Sequence, residues 1–211
     1  IADLCRHERL WFHVDGCIGA LLKISPRHVG LVAGIEGADS LALDPHKWLH
    51  TPFDAGCAIV RDRARHFSTF TLHGEYLEEK PRGLASAAFL ADYGIDLSRS
   101  FRALRVWMAL KHYGVAKFGR LIDQNIDQAA YLADRVSRHS ELELITPPVI
   151  NIVCFRYRAD GFDEVHTRAL NTETMLRIRN RALPCHRTRR SMDATRSAWR
   201  SPTIARARPI W

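Results

Sequence analysis

Along the first hundred residues, short apolar runs alternate with polar, glycine-containing or proline-containing turns. Such runs lie near 10 to 14, 31 to 33, 40 to 43 and 57 to 61, each too short for a packed helix, so each predicts a buried strand. Ile1-Ala2-Asp3-Leu4-Cys5 reads as a helix leading into the first of them. Beyond residue 100 the apolar period lengthens. Phe101 to Tyr113 and Lys117 to His139 carry helical spacing, the latter through Phe118, Leu121, Ile122, Ala129, Leu132 and Val136. Pro147-Pro148 breaks the chain before an apolar, β-branched strand from Ile150 to Tyr157. A helix from Asp163 to about Asn180 would pack on that strand. The pattern predicts an α/β part over 1–104, then connecting helices and a small α+β domain over 105–186.

Two of the predicted strands end on chemistry. Trp11-Phe12-His13-Val14 ends at Asp15, and Ser40-Leu41-Ala42-Leu43 ends at Asp44-Pro45-His46-Lys47-Trp48-Leu49. Open α/β sheets place ligands at the carboxyl ends of neighbouring strands. A lysine amine can hold an aldehyde as a Schiff base, and a carboxylate can keep a pyridine nitrogen protonated, the two groups that pyridoxal phosphate (PLP) requires. Lys47 and Asp15 supply them. An arbitrary lysine and aspartate would be a solvated side chain and a turn cap; the two strand ends set this pair apart.

From Ile1 to about His186 the chain resembles the group II PLP-dependent amino-acid decarboxylases, which include aromatic-L-amino-acid, glutamate, histidine and diaminobutyrate decarboxylases. His13-Val14-Asp15 matches the strand-end aspartate, and Asp44 to Leu49 matches the Schiff-base lysine segment. Glu75-Tyr76-Leu77 falls where the family keeps a mobile loop with a catalytic tyrosine. Tyr93-Gly94-Ile95 with Phe101-Arg102-Ala103-Leu104 matches the segment that closes the large domain. The resemblance implies a PLP-dependent transferase-like fold of type I: a partial large domain with a mainly parallel sheet, plus a small α+β C-terminal domain. It implies decarboxylation of an L-amino acid to its amine and CO2, with an aromatic substrate favoured by the Tyr76 and Phe101 regions.

The residue roles follow from the same resemblance. Lys47 would carry PLP, Asp15 would hold the pyridine nitrogen, and Asp44 and Cys17 would lie at the cofactor. His46 would contact the cofactor or the substrate carboxylate, or else pack against the strand end. Tyr76 would return the proton to the substrate carbon, on a loop that excludes water. A homodimer is implied for the full enzyme. Where the family commonly has two alanines after the aspartate, Gly16 and Cys17 stand here; Ser100 replaces a common arginine and leaves Arg99 as the candidate for a cofactor or loop contact. The family's protomer is about twice this length, and its upstream half holds the phosphate-binding turn and the ring-stacking residue, so this chain is expected to be a fragment without activity of its own. Two other readings stay open: a non-catalytic remnant, and a type I PLP enzyme of another reaction, such as an aminotransferase or a desulfurase-like lyase.

Charge changes the picture only at the C-terminal end. Arg187 to Trp211 holds seven arginines and one acidic residue, Asp193, and so carries most of the net charge of +8. This segment shows neither strand nor helix period and reads as a disordered basic tail or as the product of a frameshift. Back-translated with GC-rich codons and read from the third base of the Ser191 codon, it permits DGRYAIRVAITNHRSRTPDL, which resembles the family's C-terminal strand. Without the tail the chain is close to neutral, which removes the argument for a nucleic-acid partner that a pI near 9.6 would offer. The five cysteines are widely spaced, with no CxxC pair, and the histidines show no metal-ligand spacing, so neither a metal site nor a disulfide framework is expected. No apolar run reaches membrane-spanning length and no signal peptide is visible, so the cytoplasm is the expected compartment.

Overall fold

The computed structural model describes residues 1–71, 82–83, 89–158 and 160–180, together with the backbone of 187–191 and 194–200. The chain divides into two compact units, Ile1–Arg120 and Leu121–Trp211. That boundary lies after α4 (Arg102–Tyr113), beyond the expected division at 104 and 105.

In the first unit, the short helix α1 (Ala2–His7) leads to β1 (His13–Asp15). Strand β1 pairs in parallel with β2 (Ser40–Leu43), with Asp15 opposite Ala42, and β2 pairs antiparallel with β3 (Cys57–Val60). The three-stranded sheet therefore has the order β1-β2-β3, with one parallel and one antiparallel ladder. Of residues 31–33, expected as a strand, Leu31 and Val32 belong instead to a 3-10 turn over Val29–Val32, and Ala33 caps it. The physical reason is that β1 and β2 pair directly, so no edge between them is open to this segment; its amides bond locally, Leu31 to His28 and Ala33 to Gly30.

The crossover from β1 to β2 supplies the core through a 3-10 helix over Gly19–Ile24, whose Ala20, Leu21 and Leu22 are buried with Trp48, Leu49 and Ala55. A one-turn helix, α2 (Pro45–Trp48), follows β2, with proline at its first position, where a missing N–H costs nothing. Helix α3 (Arg63–Phe70) follows β3 and starts on Asp62, whose side chain accepts the Arg65 N–H. It was not visible as a period because Arg-Ala-Arg-His-Phe-Ser-Thr-Phe has no continuous apolar face.

The long helix α5 (Val115–Ser137) begins in the first unit and ends in the second. Near its start, Gly119 lies so close to the Ile24 carbonyl that an added Cβ would sit 2.1 Å from that oxygen.

In the second unit, Ala129 and Ala133 of α5 form a small core with Val153, and Leu132, Leu144 and Phe155 pack around it. Val153 belongs to β5 (Ile152–Tyr157), which pairs with β4 (Leu142–Val149). Strand β4 was not expected, because Pro147-Pro148 reads as a break. The ladder accommodates the prolines by a register shift between Thr146 and Val149, so both fall where pairing is interrupted on an edge strand. Helix α6 (Glu164–Asn180) starts on Asp163, which accepts the His166 N–H at 2.8 Å, and is tied to β5 by Asn171. The arginine-rich segment, expected to lack regular structure, places backbone strands β6 (Arg187–Ser191) and β7 (Ala194–Arg200) as a hairpin, with β7 against β5. The sheet order is β4-β5-β7-β6. Among the described residues, no helix is long and apolar enough to cross a membrane.

Candidate active site

Parallel pairing of β1 with β2 brings their carboxyl ends side by side, and with them Asp15 and Asp44. Gly16 N–H donates to the Ala42 carbonyl at 2.9 Å, and Asp44 N–H donates to the Cys17 carbonyl at 3.3 Å, so the two exits are stitched together. Gly16 permits this: a Cβ there would lie 2.6 Å from Cβ of Ala20 and 3.0 Å from a methyl of Leu41. The glycine that departs from the family pattern is thus required by the adjacent 3-10 helix.

Lys47 sits on α2 with Nζ 2.6 Å from Oδ2 of Asp44, the residue that begins that helix. The Cys17 side chain also favours the charged form of this amine. Partial burial disfavours the charge on Lys47, but Asp44 and Cys17 together outweigh it, and the ammonium is held above the ordinary lysine range. The sequence placed Asp44 and Cys17 at the cofactor; the structure pairs Asp44 with the lysine itself.

Asp15 is exposed at the end of β1, and its Oδ1 accepts the Cys17 N–H at 3.2 Å. Its second oxygen has no partner among the described residues. His46 turns the other way from a free catalytic base: Nδ1 lies 2.7 Å from the carbonyl oxygen of Ala55 and 3.1 Å from its nitrogen, and the ring meets Phe53 edge-on at 5.0 Å. Tyr76 lies outside the described residues. Arg99 donates to the Asp96 carbonyl of its own turn at 3.3 Å. Tyr93 receives Arg63 Nε at 2.9 Å and packs against His66 and Phe67 of α3.

The donor set fits PLP on its chemistry. A lysine amine at one strand exit, an exposed carboxylate at the neighbouring strand end whose second oxygen has no partner among the described residues, and small residues between them are what an aldehyde and a pyridinium nitrogen require. The described residues include no group of three or more histidine, cysteine, aspartate or glutamate side chains placed to hold a metal ion.

Residues 1–158 match the family model of the pyridoxal-dependent decarboxylase conserved domain. The chain belongs to this family. Its relatives include an aromatic-L-amino-acid decarboxylase of Bacillus atrophaeus, 40% identical over 157 residues that make up 74% of this chain and 33% of that protein. A tryptophan decarboxylase of Camptotheca acuminata is 33% identical over 83% of this chain and 35% of its own length. The chain thus spans about a third of the curated relatives it matches. Among solved structures, Oryza sativa TDC with PLP and tryptamine superposes with a TM-score of 0.85 at 28% identity, covering 96% of this chain and 42% of that one. The chain therefore carries part of the type I fold of these decarboxylases.

The residues that sequence reasoning missed are Asp54 and Ala55. Arg102 of the closing motif donates to both oxygens of Asp54, at 3.3 and 3.1 Å, and Arg105 reaches the carbonyl oxygens of Phe53 and Asp54. No spacing rule links positions so far apart. The one available signal was the arginine at the start of a helix in a motif with no assigned partner.

Proposed function

We propose that this chain is the lysine-bearing portion of a PLP-dependent decarboxylase acting on aromatic L-amino acids. The single observation that carries the reading is Lys47 Nζ, paired with Asp44 at 2.6 Å at the mouth of two parallel strands, with Asp15 at the neighbouring strand end. The aromatic substrate is supported by relatives at least 30% identical that are named as aromatic-L-amino-acid, tryptophan and tyrosine decarboxylases.

Bound at this site, PLP would supply an electron sink for the carbon that loses its carboxylate. Lys47 would hold the cofactor through Nζ, with Asp44 keeping the free amine charged and oriented until the cofactor arrives. Asp15 would keep a proton on the pyridine nitrogen through its unpartnered oxygen. Cys17 would line the ring beside Lys47. His46 would present Nε2 towards the site while the Ala55 backbone fixes Nδ1. Tyr76, after the lysine in the order of motifs, would deliver the proton that replaces the carboxylate.

A homodimer is proposed for the full enzyme. The cytoplasm is proposed as its compartment; the free Cys5, Cys17, Cys57 and Cys154 suit a reducing environment. The test is CO2 release from L-tryptophan, L-tyrosine and L-glutamate, with PLP, by the polypeptide that contains this chain. Release from the aromatic substrates that is lost in Lys47→Ala supports the reading. An amine-transfer product without CO2 would overturn it.

A further inference from the structure

The turn formed by Phe53, Asp54 and Ala55 is gripped from two sides. From one side, Arg102 at the start of α4 lays its guanidinium across both carboxylate oxygens of Asp54, and Arg105 reaches the Phe53 and Asp54 carbonyls at 3.4 and 3.5 Å. From the other side, the His46 ring engages Ala55 through Nδ1 and meets Phe53 edge-on, while the His46 backbone N–H donates to the Ala55 carbonyl at 3.4 Å. Ala55 itself is 1% exposed.

We propose that Arg102, acting through Asp54 and this turn, is a positioning residue that sets the orientation and tautomer of His46 and, through it, the placement of Lys47. The proposal rests on the reading of Lys47 as the PLP lysine. Helix α2 has four residues, too few to sustain itself by its own hydrogen bonds. Its N-cap residue, Asp44, makes no side-chain capping bond and pairs with Lys47 instead. The direction of α2 therefore depends on tertiary contacts: the buried Trp48 that ends it, the buried Leu49 that follows, and His46 against Ala55 within it.

A two-pronged guanidinium–carboxylate contact restrains orientation as well as distance, which a lysine ammonium cannot do. The Asp54 carboxyl is held below its usual range, first by the Arg102 hydrogen bonds, so the pair remains ionised at neutral pH. Because the pair is partly exposed to solvent, its net stabilising energy is small, and its main contribution is direction. Direction matters at Nδ1. If that nitrogen donates to the Ala55 carbonyl, Nε2 is left with a lone pair; if it accepts the Ala55 N–H, Nε2 carries the proton. The two contacts differ by a few tenths of an ångström, so a displaced turn shifts the balance between them.

The test compares the full chain with Arg102→Gln, Arg102→Lys, Asp54→Asn, His46→Ala and the Arg102→Gln/His46→Ala double variant. The first readout is the ring-nitrogen spectrum of His46 by long-range proton–nitrogen NMR, which needs no cofactor. The second is capture of PLP at Lys47 by borohydride, quantified by peptide mass against Lys111 in the same sample. Arg102→Gln and Asp54→Asn are expected to change the His46 tautomer balance and to cut Lys47 capture roughly tenfold, with Arg102→Lys recovering only part. In the His46→Ala background, Arg102→Gln should add no further loss. An unchanged His46 ring spectrum, or losses that multiply in the double variant, would overturn the proposal. If circular dichroism shows Arg102→Gln unfolded, Asp54→Asn decides, since it keeps the shape of the side chain. Should wild-type Lys47 capture no more PLP than Lys111, the cofactor reading fails, while the His46 spectra still decide the clamp.

Discussion

Oδ2 of Asp44 lies 2.6 Å from Nζ of Lys47, so the residue that ends the β2 exit holds the amine three positions further on. The pair is about two-thirds buried, and the Cys17 side chain also favours the charged amine. Lys47 is consequently more basic in the folded chain than in the unfolded one. The stability this contributes is present at neutral pH and is lost as pH rises through the folded-state value, above the ordinary lysine value of 10.5. Asp44→Asn is expected to move the midpoint of Lys47 acylation to lower pH, with that of Lys111 unchanged. Acylation followed by peptide mass across an alkaline pH series measures it, and coincident Lys47 curves for the two proteins would refute the role given to Asp44.

Gly16 is held against Ala20 and Leu41, where an added methyl would meet Cβ of Ala20 at 2.6 Å. Gly16→Ala should therefore destabilise the first unit by about 1–3 kcal/mol, the usual cost of overpacking a filled site. Urea unfolding would register this as a lower midpoint at unchanged slope. A midpoint equal to wild type would mean the β1 exit has room that the structure does not show.

Asn171 joins α6 to β5 with two hydrogen bonds, accepting the Tyr157 N–H at 2.9 Å and donating to the Tyr157 carbonyl at 2.8 Å, and it donates to the Thr167 carbonyl of its own helix at 2.8 Å. The residue is buried, so Asn171→Ala leaves main-chain groups unpaired and should cost about 1–3 kcal/mol. Hydrogen exchange at the Tyr157 amide is the local readout. Protection there that survives the substitution would contradict the assignment.

How much of this was legible in the sequence follows from where the physics is local. Strands β1, β2, β3 and β5 and helices α4 and α5 were visible because their apolar spacing matches a strand or helix period, although β3 is mostly exposed and α4 carries no buried residue. Asp15 and Lys47 were visible because one ends the apolar run of β1 and the other follows closely on that of β2. What was hidden depends on pairing at a distance. Strand β4 carries two prolines that only a shifted register excuses, Val29–Val32 looks like a strand until β1 and β2 pair without it, and the Asp54–Arg102 contact spans most of the way from α2 to α4. The hold of Ala55 on His46 was equally silent, since an alanine in a turn announces no partner.

The C-terminal segment bears on the same question. Strand β7 is central in its sheet, between β5 and β6, yet Ala194 to Arg200 reads Ala-Thr-Arg-Ser-Ala-Trp-Arg. Central strands favour β-branched and apolar residues. The shifted reading places Tyr-Ala-Ile-Arg-Val-Ala-Ile over those seven positions, which suits a central strand. We propose that the gene changes frame before this strand. Sequencing through the codons for Pro184 to Trp211 should give DGRYAIRVAITNHR in a corrected frame; a verified uninterrupted frame through Trp211 would dismiss the idea.

The central claim is that Lys47 is the residue that takes PLP, and the most direct measurement is covalent capture. PLP followed by borohydride, then peptide mass mapping over every lysine, should place the phosphopyridoxyl group on Lys47 at the lowest cofactor concentration that labels any lysine. Lys47→Arg should abolish that first label and leave the others. Uniform labelling of the exposed lysines, with Lys47 no more reactive than Lys111, would contradict the account.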